Sequence, residues 1–500
     1  DLVLLVALGC ALWADVRHPC PVEQGEIDPT WGAQRIVNLM AAWRDQLLEV
    51  LGAMGMREVC RLRGELGRAI SYPEEEGAFR RLFAVVPGRG SQTPPGGEVE
   101  GDLRWPAELL RATAEQARSG RPPTSGLEYR VGKSGGGFDR LRFAREPEGP
   151  AEEVEELPEV DLSLELNRRA DGRPQLRIPH PWYGAGMSFG SVGLNTMLAR
   201  ALAAQQWDSF TCTGEGGYPD ELLPYADHVI TQVATGLFGV SEETIQRAPI
   251  VEFKYAQGAK PGLGGHLLGS KVTSAVAAMR ESVPGCSLFS PFPFHSVYSV
   301  EDHKKHVDWV NTINPRALIS VKVSTPCDVD MVAVGSYYAG AHIVHLDGAY
   351  GGTGAAPEIA KKNIAMPIEY AIRRVHTFLE AEGIRNEVIL LASGGVRTAY
   401  DVAKAIALGA DGCVIGSAEL VALGCTRLGA CEKDKGCPLG IATTDPELCR
   451  QVDPEEGARR IANLYASWRS QLATLLRLLG LRSARQLLGR TDLLVYLEVV

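Results

Sequence analysis

Short apolar runs alternate with helical patterns through the second half of the chain. Most runs are followed by a segment such as NTMLARALAAQ or VDMVAVGSYYAGA, in which apolar residues recur at helical spacing. Because alternating strands and helices indicate a parallel sheet, and because the rhythm continues over about 240 residues, the pattern predicts an α/β fold, a closed (β/α)8 TIM barrel. Nine runs compete for eight strands, so we expect one of them to be a loop or a hairpin piece: WYGAGMSFG, DSFTCTGEGG, DHVITQVATG, VEFKYAQGAKPG, CSLFSP, ALISVKVST, HIVHLDGAYGG, VILLASGG and GCVIGSA.

A second pattern occurs near both ends of the chain. DPTWGAQRIVNLMAAWRDQL, from Asp28, matches DPEEGARRIANLYASWRSQL, from Asp453, at about half of its positions, and LVALGC precedes both copies. We therefore predict a duplicated amphipathic helix and, from the abrupt apolar start without Met, a truncated first copy. The apolar stripes are expected to pack on a core, with a contact between subunits as the alternative: Ile36, Leu39, Trp43 and Leu47, and Ile461, Leu464, Trp468 and Leu472.

Composition divides the chain into five parts. We expect a helical module at 1–84, a Pro/Gly/Glu-rich linker at 85–160, the barrel at 161–420, a cysteine loop at 421–450 and a C-terminal helical module at 451–500. Stretches such as GRGSQTPPGG and EPEGPAEEVEELPE are typical of linkers because they bury little apolar surface. RWPAELLRATAEQA is predicted to form one helix within this region.

Charge and cysteine usage exclude several classes of protein. The net charge of -10 argues against a nucleic-acid partner, because phosphate binding depends on Lys and Arg. The apolar start covers only about twelve residues, too few to span a bilayer. Eleven scattered cysteines are typical of a reduced, cytoplasmic enzyme and not of a disulfide framework. We therefore expect no nucleic acid, no membrane and a cytoplasmic location.

Two loops after the last predicted strands are suited to a phosphate group. Gly394 and Gly395 follow VILLAS, and Gly416 and Ser417 follow GCVI. Small residues at helix starts leave backbone N–H groups available to an anion, and the last two loops of such barrels commonly bind phosphate.

Three cysteines follow at short spacing in a Gly-containing loop. Thiolates spaced as Cys425, Cys431 and Cys437 are typical ligands of an iron–sulfur cluster, or of zinc with a fourth ligand elsewhere. Other cysteines lie in apolar, strand-like surroundings and are expected to be buried and inert: Cys212, Cys286, Cys327 and Cys413.

Polar residues collect where the predicted strands end, which is where barrel enzymes place their functional groups. Lys322 lies between valines in SVKVS, so its ammonium would point into the barrel and need an anionic partner. Asp347 is equally consistent with a substrate contact and a turn cap. The candidates at these strand ends are Ser188, Glu215, Gln257, Lys260, Lys322, Asp347, Gly351, Gly352 and Thr353.

Several of these motifs together resemble one family. MSFGSVGLNTMLARAL, TGEGGYPDE, QVATGLFGV, AQGAKPGLGGHLLGSKV, FSPFPFHSVYSVED, GGTGAAP, ASGGVRTAYDV and GCTRLGACEKDKGCPLGIATTDPE follow, in order, the FMN-binding synthase domain of glutamate synthase. The resemblance covers about residues 162–446 and is greatest to short, archaeal-type and stand-alone members.

The resemblance implies two cofactors. FMN would lie against Met187 and Ser188, with Gln257 hydrogen-bonded to the flavin ring and Lys322 near its N1/O2 edge. Its phosphate would be held by Gly394, Gly395, Gly416 and Ser417. A 3Fe-4S cluster would be ligated by Cys425, Cys431 and Cys437.

The resemblance also implies reductive amination. Reduced FMN would deliver hydride to the imine of 2-oxoglutarate and ammonia, giving L-glutamate, with Glu215 at the imino nitrogen and Lys260 or Lys322 facing the carboxylates. Asp347, Gly351, Gly352 and Thr353 would complete the substrate site. The expected partners are reduced ferredoxin or a separate reductase subunit, and a separate glutaminase-like subunit where ammonia does not come from solution. An oligomer is also expected.

Some residues depart from the family pattern on the substrate side. Tyr350 replaces a usual acidic residue before GGTGA, and Leu263, Phe294 and Ser296 also differ. These changes keep two alternatives open: an N-methylglutamate synthase-like or other amine-condensing enzyme, and a non-catalytic assembly subunit. Leu428 stands where some relatives have a fourth cysteine, which favours a three-iron cluster.

Overall fold

The computed structural model describes residues 28–54, 56–62, 72–87, 104–123, 137–144, 159–291, 294–352, 354, 356, 364–432 and 436–498. The chain forms two compact units, residues 1–65 and 66–500. In the described part of the first unit, a long helix, α1 (Pro29–Ala53), is followed by a 3-10 turn at Val59–Leu62. The Asp28 carboxylate caps α1 by accepting from the N–H groups of Thr30 and Trp31.

The second unit begins with elements that lie outside the barrel. They are α2 (Tyr72–Arg80), β1 (Ala84–Pro87), α3 (Ala107–Ser119), β2 (Leu141–Phe143), β3 (Leu164–Glu165) and β4 (Arg177–Ile178). The helix predicted at RWPAELLRATAEQA is present as α3. Trp105, Phe138 and Leu141 are buried, so the described parts of 85–160 pack on the main core.

Eight parallel strands form the barrel, which confirms the predicted fold. They are β5 (Trp182–Gly184), β6 (Thr211–Cys212), β7 (Val229–Ala234), β8 (Ile250–Lys254), β11 (Leu318–Ser324), β12 (Ile343–Asp347), β13 (Ile389–Ser393) and β14 (Gly412–Ile415). The barrel closes between its first two strands, where Gly184 N–H donates to the Phe210 carbonyl at 2.9 Å and Gly186 bridges to Cys212. The β3–β4 hairpin packs Leu164 and Ile178 with the first residues of four strands, at the amino end.

The ninth candidate run, CSLFSP, lies outside the barrel. It contributes β10 (Leu288–Phe289), which pairs antiparallel with β9 (His266–Leu267) above the strands. The alternating helices are α4 (Leu194–Gln206), α5 (Glu242–Gln246), α6 (Ser274–Met279), α7 (Val300–Ile313), α8 (Val329–Ala339), α9 (Ile368–Ala381), α10 (Ala399–Leu408) and α11 (Ser417–Ala422). Within the described residues, no helix is both long and apolar enough to cross a bilayer.

The chain ends with α12 (Pro446–Cys449), α13 (Pro454–Leu478) and β15 (Leu494–Glu498). β15 lies between β1 and β2, so the end of the chain is tied to residues 84–87 and 141–143. Helix α13 packs on α4 and α3, and its predicted stripe is buried: Ile461, Leu464, Trp468 and Leu472.

The stripe of the first copy is less buried. Trp43 is 44% exposed and Leu47 is 40% exposed, so the predicted packing of this stripe is wrong at these two positions. The described part of the first unit provides α1 and one short turn, which do not cover that face.

Replacing the two matching tryptophans should change the free energy of unfolding by very different amounts. Trp468→Ala should lower the free energy of unfolding by ~3–5 kcal/mol, because the indole is 1% exposed and lies 5.7 Å from the Trp182 ring. Trp43→Ala should change it by less than ~0.5 kcal/mol. Guanidinium unfolding followed by circular dichroism measures both. Equal losses would mean that α1 is packed as α13 is.

Candidate active site

One cavity at the carboxyl ends of the strands gathers most of the predicted site residues. Thr353 lies outside the described residues. The cavity is lined by Met187, Ser188, Glu215, Gln257, Lys260, Lys322, Asp347, Gly351, Gly352, Gly394, Gly395, Gly416 and Ser417. The barrel topology explains this grouping, because parallel strands bring residues distant in sequence to the same end.

Lys322 lies on the inside of the barrel and has the anionic partner that its position predicts. Its Nζ is 3.4 Å from an Asp347 carboxylate oxygen, and both side chains are 8% exposed. Burial acts to lower the pKa of Lys322, but Asp347 and Glu252 outweigh it and raise the pKa above its ordinary value. Lys322 is therefore a permanent cation of the cavity floor.

A hydrogen-bonded chain continues from Asp347 across the barrel. Ser393 Oγ donates to Asp347 at 2.5 Å, so it accepts from His345 Nε2, at 2.7 Å. His345 Nδ1 lies 3.0 Å from Glu252, whose pKa is lowered to about 2 because charges and hydrogen bonds, led by His345, outweigh burial. The His345 ring therefore links Ser393 to Glu252 across the barrel.

The buried charged groups lie next to one another. Lys322 pairs with Asp347, and Glu252 contacts His345. Gln232 and Ser320 also donate to Glu252, at 2.7 and 3.1 Å. Buried charges are tolerated when they are paired and hydrogen-bonded, and the Glu252 and Asp347 carboxylates each accept at least two hydrogen bonds here.

Glu215 is held on another side of the cavity. Lys254 Nζ lies 3.0 Å from its carboxylate and Ser290 donates to it at 2.5 Å. Burial acts to raise the pKa of Glu215, but Lys254 and Ser290 lower it to about 2, so the side chain is ionised at neutral pH. A Cβ on Gly265 would lie 1.6 Å from a Glu215 oxygen, so a larger residue there would displace the carboxylate.

Lys260 is the cavity cation with a titration near neutral pH. Burial and the neighbouring charge of Lys254 lower its pKa to about 8, although Glu215 acts in the opposite direction. Unlike Lys322, it therefore gains and loses its proton in the range in which enzymes work.

The glycine turn that the sequence predicts to hold a phosphate, called the phosphate-type turn below, follows β13. Gly394 and Gly395 have φ angles of 82° and 128°, in the region that favours glycine. A Cβ on Gly394 would lie 2.4 Å from the Gly348 carbonyl oxygen, so two strand-end loops meet closely here. The second loop begins α11 at Ser417.

Some cavity residues were not found by sequence reasoning. Lys254 lies at the end of β8, and the signal that identified Lys322, a lysine in an apolar strand, also applies to it. Arg104 and Trp105 line the cavity from the region expected to be a linker. No pattern around them indicates this position.

The three loop cysteines collect beside the cavity. Cys431 lines it, and Cys425 and Cys431 pack against the buried cluster that contains Cys437. Burial raises the pKa of Cys431, and the neighbouring thiols of Cys425 and Cys437 raise it further. Among the described residues, no group of three or more His, Cys, Asp or Glu has the geometry to hold a metal ion.

The expected burial of two cysteines needs correction. Cys286 is exposed because CSLFSP lies outside the barrel, and Cys327 is partly exposed in the segment that follows β11; Cys212 and Cys413 are buried as predicted. His342 is structural, since its ring nitrogens contact the Ile319 N–H and the Asp171 carboxylate.

Comparison with known proteins identifies the family. The family model described as "Conserved region in glutamate synthase" matches residues 144–482. The archaeal glutamate synthase [NADPH] of Methanocaldococcus jannaschii is 45% identical over 64% of this chain and 62% of its own length. The archaeal-type glutamate synthase [NADPH] of Dehalococcoides mccartyi is 37% identical over 78% of this chain and 81% of its own.

Other similarities are more distant. The glutamate synthase [NADPH] large chain of Bacillus subtilis is 36% identical over 62% of this chain and 20% of its own length. A crystal structure of mandelate oxidase with (S)-4-hydroxymandelic acid is 16% identical, with a TM-score of 0.45, over 86% of this chain and 100% of that one. The family match, which spans more than half of the chain, decides the assignment: the chain belongs to the glutamate synthase family.

Proposed function

We propose that this protein catalyses the reductive amination of 2-oxoglutarate to L-glutamate with hydride from reduced FMN. The observation that carries the proposal is the cavity itself. Cationic Lys260 and Lys322 suit a dicarboxylate, and ionised Glu215 suits a cationic nitrogen. The family assignment supplies the reaction class.

The residues present fit FMN. The left-handed Gly394–Gly395 turn and the α11 start at Ser417 offer backbone donors to the phosphate. Lys322, held as a cation by Asp347, is suited to the electron-rich N1/O2 edge of the flavin. Bound FMN would supply a hydride donor; Met187, Ser188 and Gln257 would help to hold it.

The chain's own groups then orient the substrate. Lys260 and Lys322 attract its carboxylates as point charges. Glu215 accepts a hydrogen bond from the imino nitrogen and stabilises its positive charge, because the carboxylate stays ionised. Asp347, Gly351, Gly352 and Thr353 complete the proposed substrate site.

The cysteine loop is suited to the proposed 3Fe-4S cluster. Three thiols close enough to act on one another's charge, in one loop beside the cavity, are the donor set that iron–sulfur clusters use. Cys425, Cys431 and Cys437 would be its ligands, and it would supply electron transfer to the cavity that Cys431 lines.

The reductant and the ammonia source follow from the same proposal. The names of the relatives give NADPH as the reductant of those enzymes. We propose delivery through ferredoxin or a separate reductase, and ammonia from solution or a glutaminase-like subunit. Tyr350 lies next to the Gly394–Gly395 turn and so away from the substrate side expected for it. The departure at Leu263, in the loop that carries Lys260, keeps N-methylglutamate formation as the second candidate reaction.

Flavin content and amine preference test this function together. Protein purified without oxygen should release one FMN per chain, and its reduced flavin should be reoxidised by 2-oxoglutarate faster with ammonia than with methylamine. Stopped-flow absorbance measures both rates. Faster reoxidation with methylamine would support the second reaction, and colourless protein would exclude both.

Binding of 2-oxoglutarate should weaken as the pH rises through about 8. Lys260 is protonated below this pKa and neutral above it, so Kd should rise towards tenfold per pH unit. Lys260→Gln should bind more weakly at pH 7 and lose this dependence. Titrations monitored by flavin absorbance measure Kd, with Lys304→Gln, a surface substitution, as the control. An unchanged pH profile in Lys260→Gln would assign the titration to another group.

Replacing one loop cysteine should remove iron and retain flavin. Cys431→Ser should lower the iron content and the iron–sulfur absorbance to background while FMN stays bound, because the glycine turns, and not the thiols, are the proposed phosphate ligands. Cys286→Ser changes an exposed thiol and should leave iron unchanged. Full iron content in Cys431→Ser would contradict the proposed ligand set.

A further inference from the structure

Arg104 brings a guanidinium to the phosphate side of the cavity from outside the barrel. Its guanidinium carbon lies 3.0 Å from the centroid of the Tyr350 ring. A Cβ on Gly395 would lie 3.2 Å from the Tyr350 Cβ. Tyr350 is therefore next to both Arg104 and the Gly394–Gly395 turn. All four residues line the same cavity.

The segment that carries Arg104 is fastened to the barrel. We call residues 104–105 and 137–139 the strap. Arg397, two residues beyond the glycine turn, donates to the Arg104 carbonyl at 3.1 Å and pairs with Asp139 at 2.5 Å. Lys404 on α10 donates to the Phe138 carbonyl at 2.9 Å, and the Gly137 N–H donates to Glu369 at 2.8 Å. The strap is therefore held next to the phosphate-type turn.

The surroundings of Arg104 differ from those of three other cavity cations. Lys322 lies 3.4 Å from Asp347, Lys254 lies 3.0 Å from Glu215, and Arg397 pairs with Asp139. Arg104 instead faces the Tyr350 ring and hydrogen-bonds to its side chain, with Glu369 as the nearby carboxyl group. Burial raises the pKa of Glu369 to about 7, so this carboxyl group is only partly charged at neutral pH. Arg104 therefore lies between an aromatic ring and a carboxyl group whose pKa is near neutral.

We propose that Arg104 is a ligand of the flavin phosphate. The strap carries this arginine, and contact with the Tyr350 ring helps to fix its position. The inference rests on the proposed function, since it assumes FMN in this cavity. The glycine turns offer neutral N–H donors, whereas a phosphate monoester carries close to two negative charges. A guanidinium complements it with charge and with a planar pair of donors. FMN binding would then also stabilise the docked strap.

A comparison of FMN with riboflavin tests this role. Riboflavin lacks the phosphate, so Arg104→Gln should raise the Kd for FMN by on the order of tenfold to a hundredfold and change the Kd for riboflavin less than about twofold. Quenching of flavin fluorescence on flavin-depleted full-length protein measures both values. Arg118→Gln, at the exposed end of α3 where Arg118 pairs with Glu115, is the matched control and should change neither.

The outcomes separate the two proposals. Wild-type protein that prefers FMN, together with an Arg104→Gln variant that keeps the same preference, would overturn the role of Arg104 and leave the proposed function intact. Equal weakening of both flavins would also overturn it, because it would indicate a packing role. Arg104→Lys keeps a charge in a folded strap and should retain more of the preference than Gln does. Wild-type protein that binds neither flavin would overturn the proposed function and this inference with it.

Discussion

The charge of Lys322, in the middle of β11, is the constraint on which the carboxyl end of the barrel depends. An isolated ammonium would be very costly at this depth, so Asp347 faces it from the next strand. Asp347 is held in turn by Ser393 and by the Gly258 N–H, and the chain of contacts continues through His345 to Glu252. Four strands thereby share one network of buried polar and charged groups, which gives the cavity a polar floor.

The parts of this arrangement that depend on the residue pattern of single strands could be predicted from the sequence. Apolar runs identified all eight barrel strands, and a lysine between valines identified a buried cation that needs a carboxylate. CSLFSP could not be separated from a strand of the barrel by its composition, because β10 is also apolar and extended. Only the pairing with His266–Leu267, which is a non-local contact, places it outside.

Non-local packing also explains which features could not be predicted from the sequence. Arg104 lies in a region of linker-like composition, and its position depends on Arg397 and Lys404, almost three hundred residues later. The duplicated helices make the same point, because Trp43 and Trp468 occupy matching positions and differ in exposure from 44% to 1%. Local sequence determines that each segment is a helix; the surface offered by α4 and α3 determines that one stripe is buried.

The titratable groups of the cavity differ in ionisation state, so each has a different role in the proposed reaction. Glu215, with a pKa of about 2, cannot donate a proton at neutral pH, so its part is electrostatic: it favours the protonated imine, which accepts hydride more readily than the neutral one. Lys322 keeps its charge throughout and cannot exchange protons in this range. Lys260, with a pKa of about 8, can hold or release a proton near the substrate. Because burial and the charge of Lys254 produce that pKa, neutralising Lys254 would raise it and weaken proton exchange without removing any group that touches the substrate.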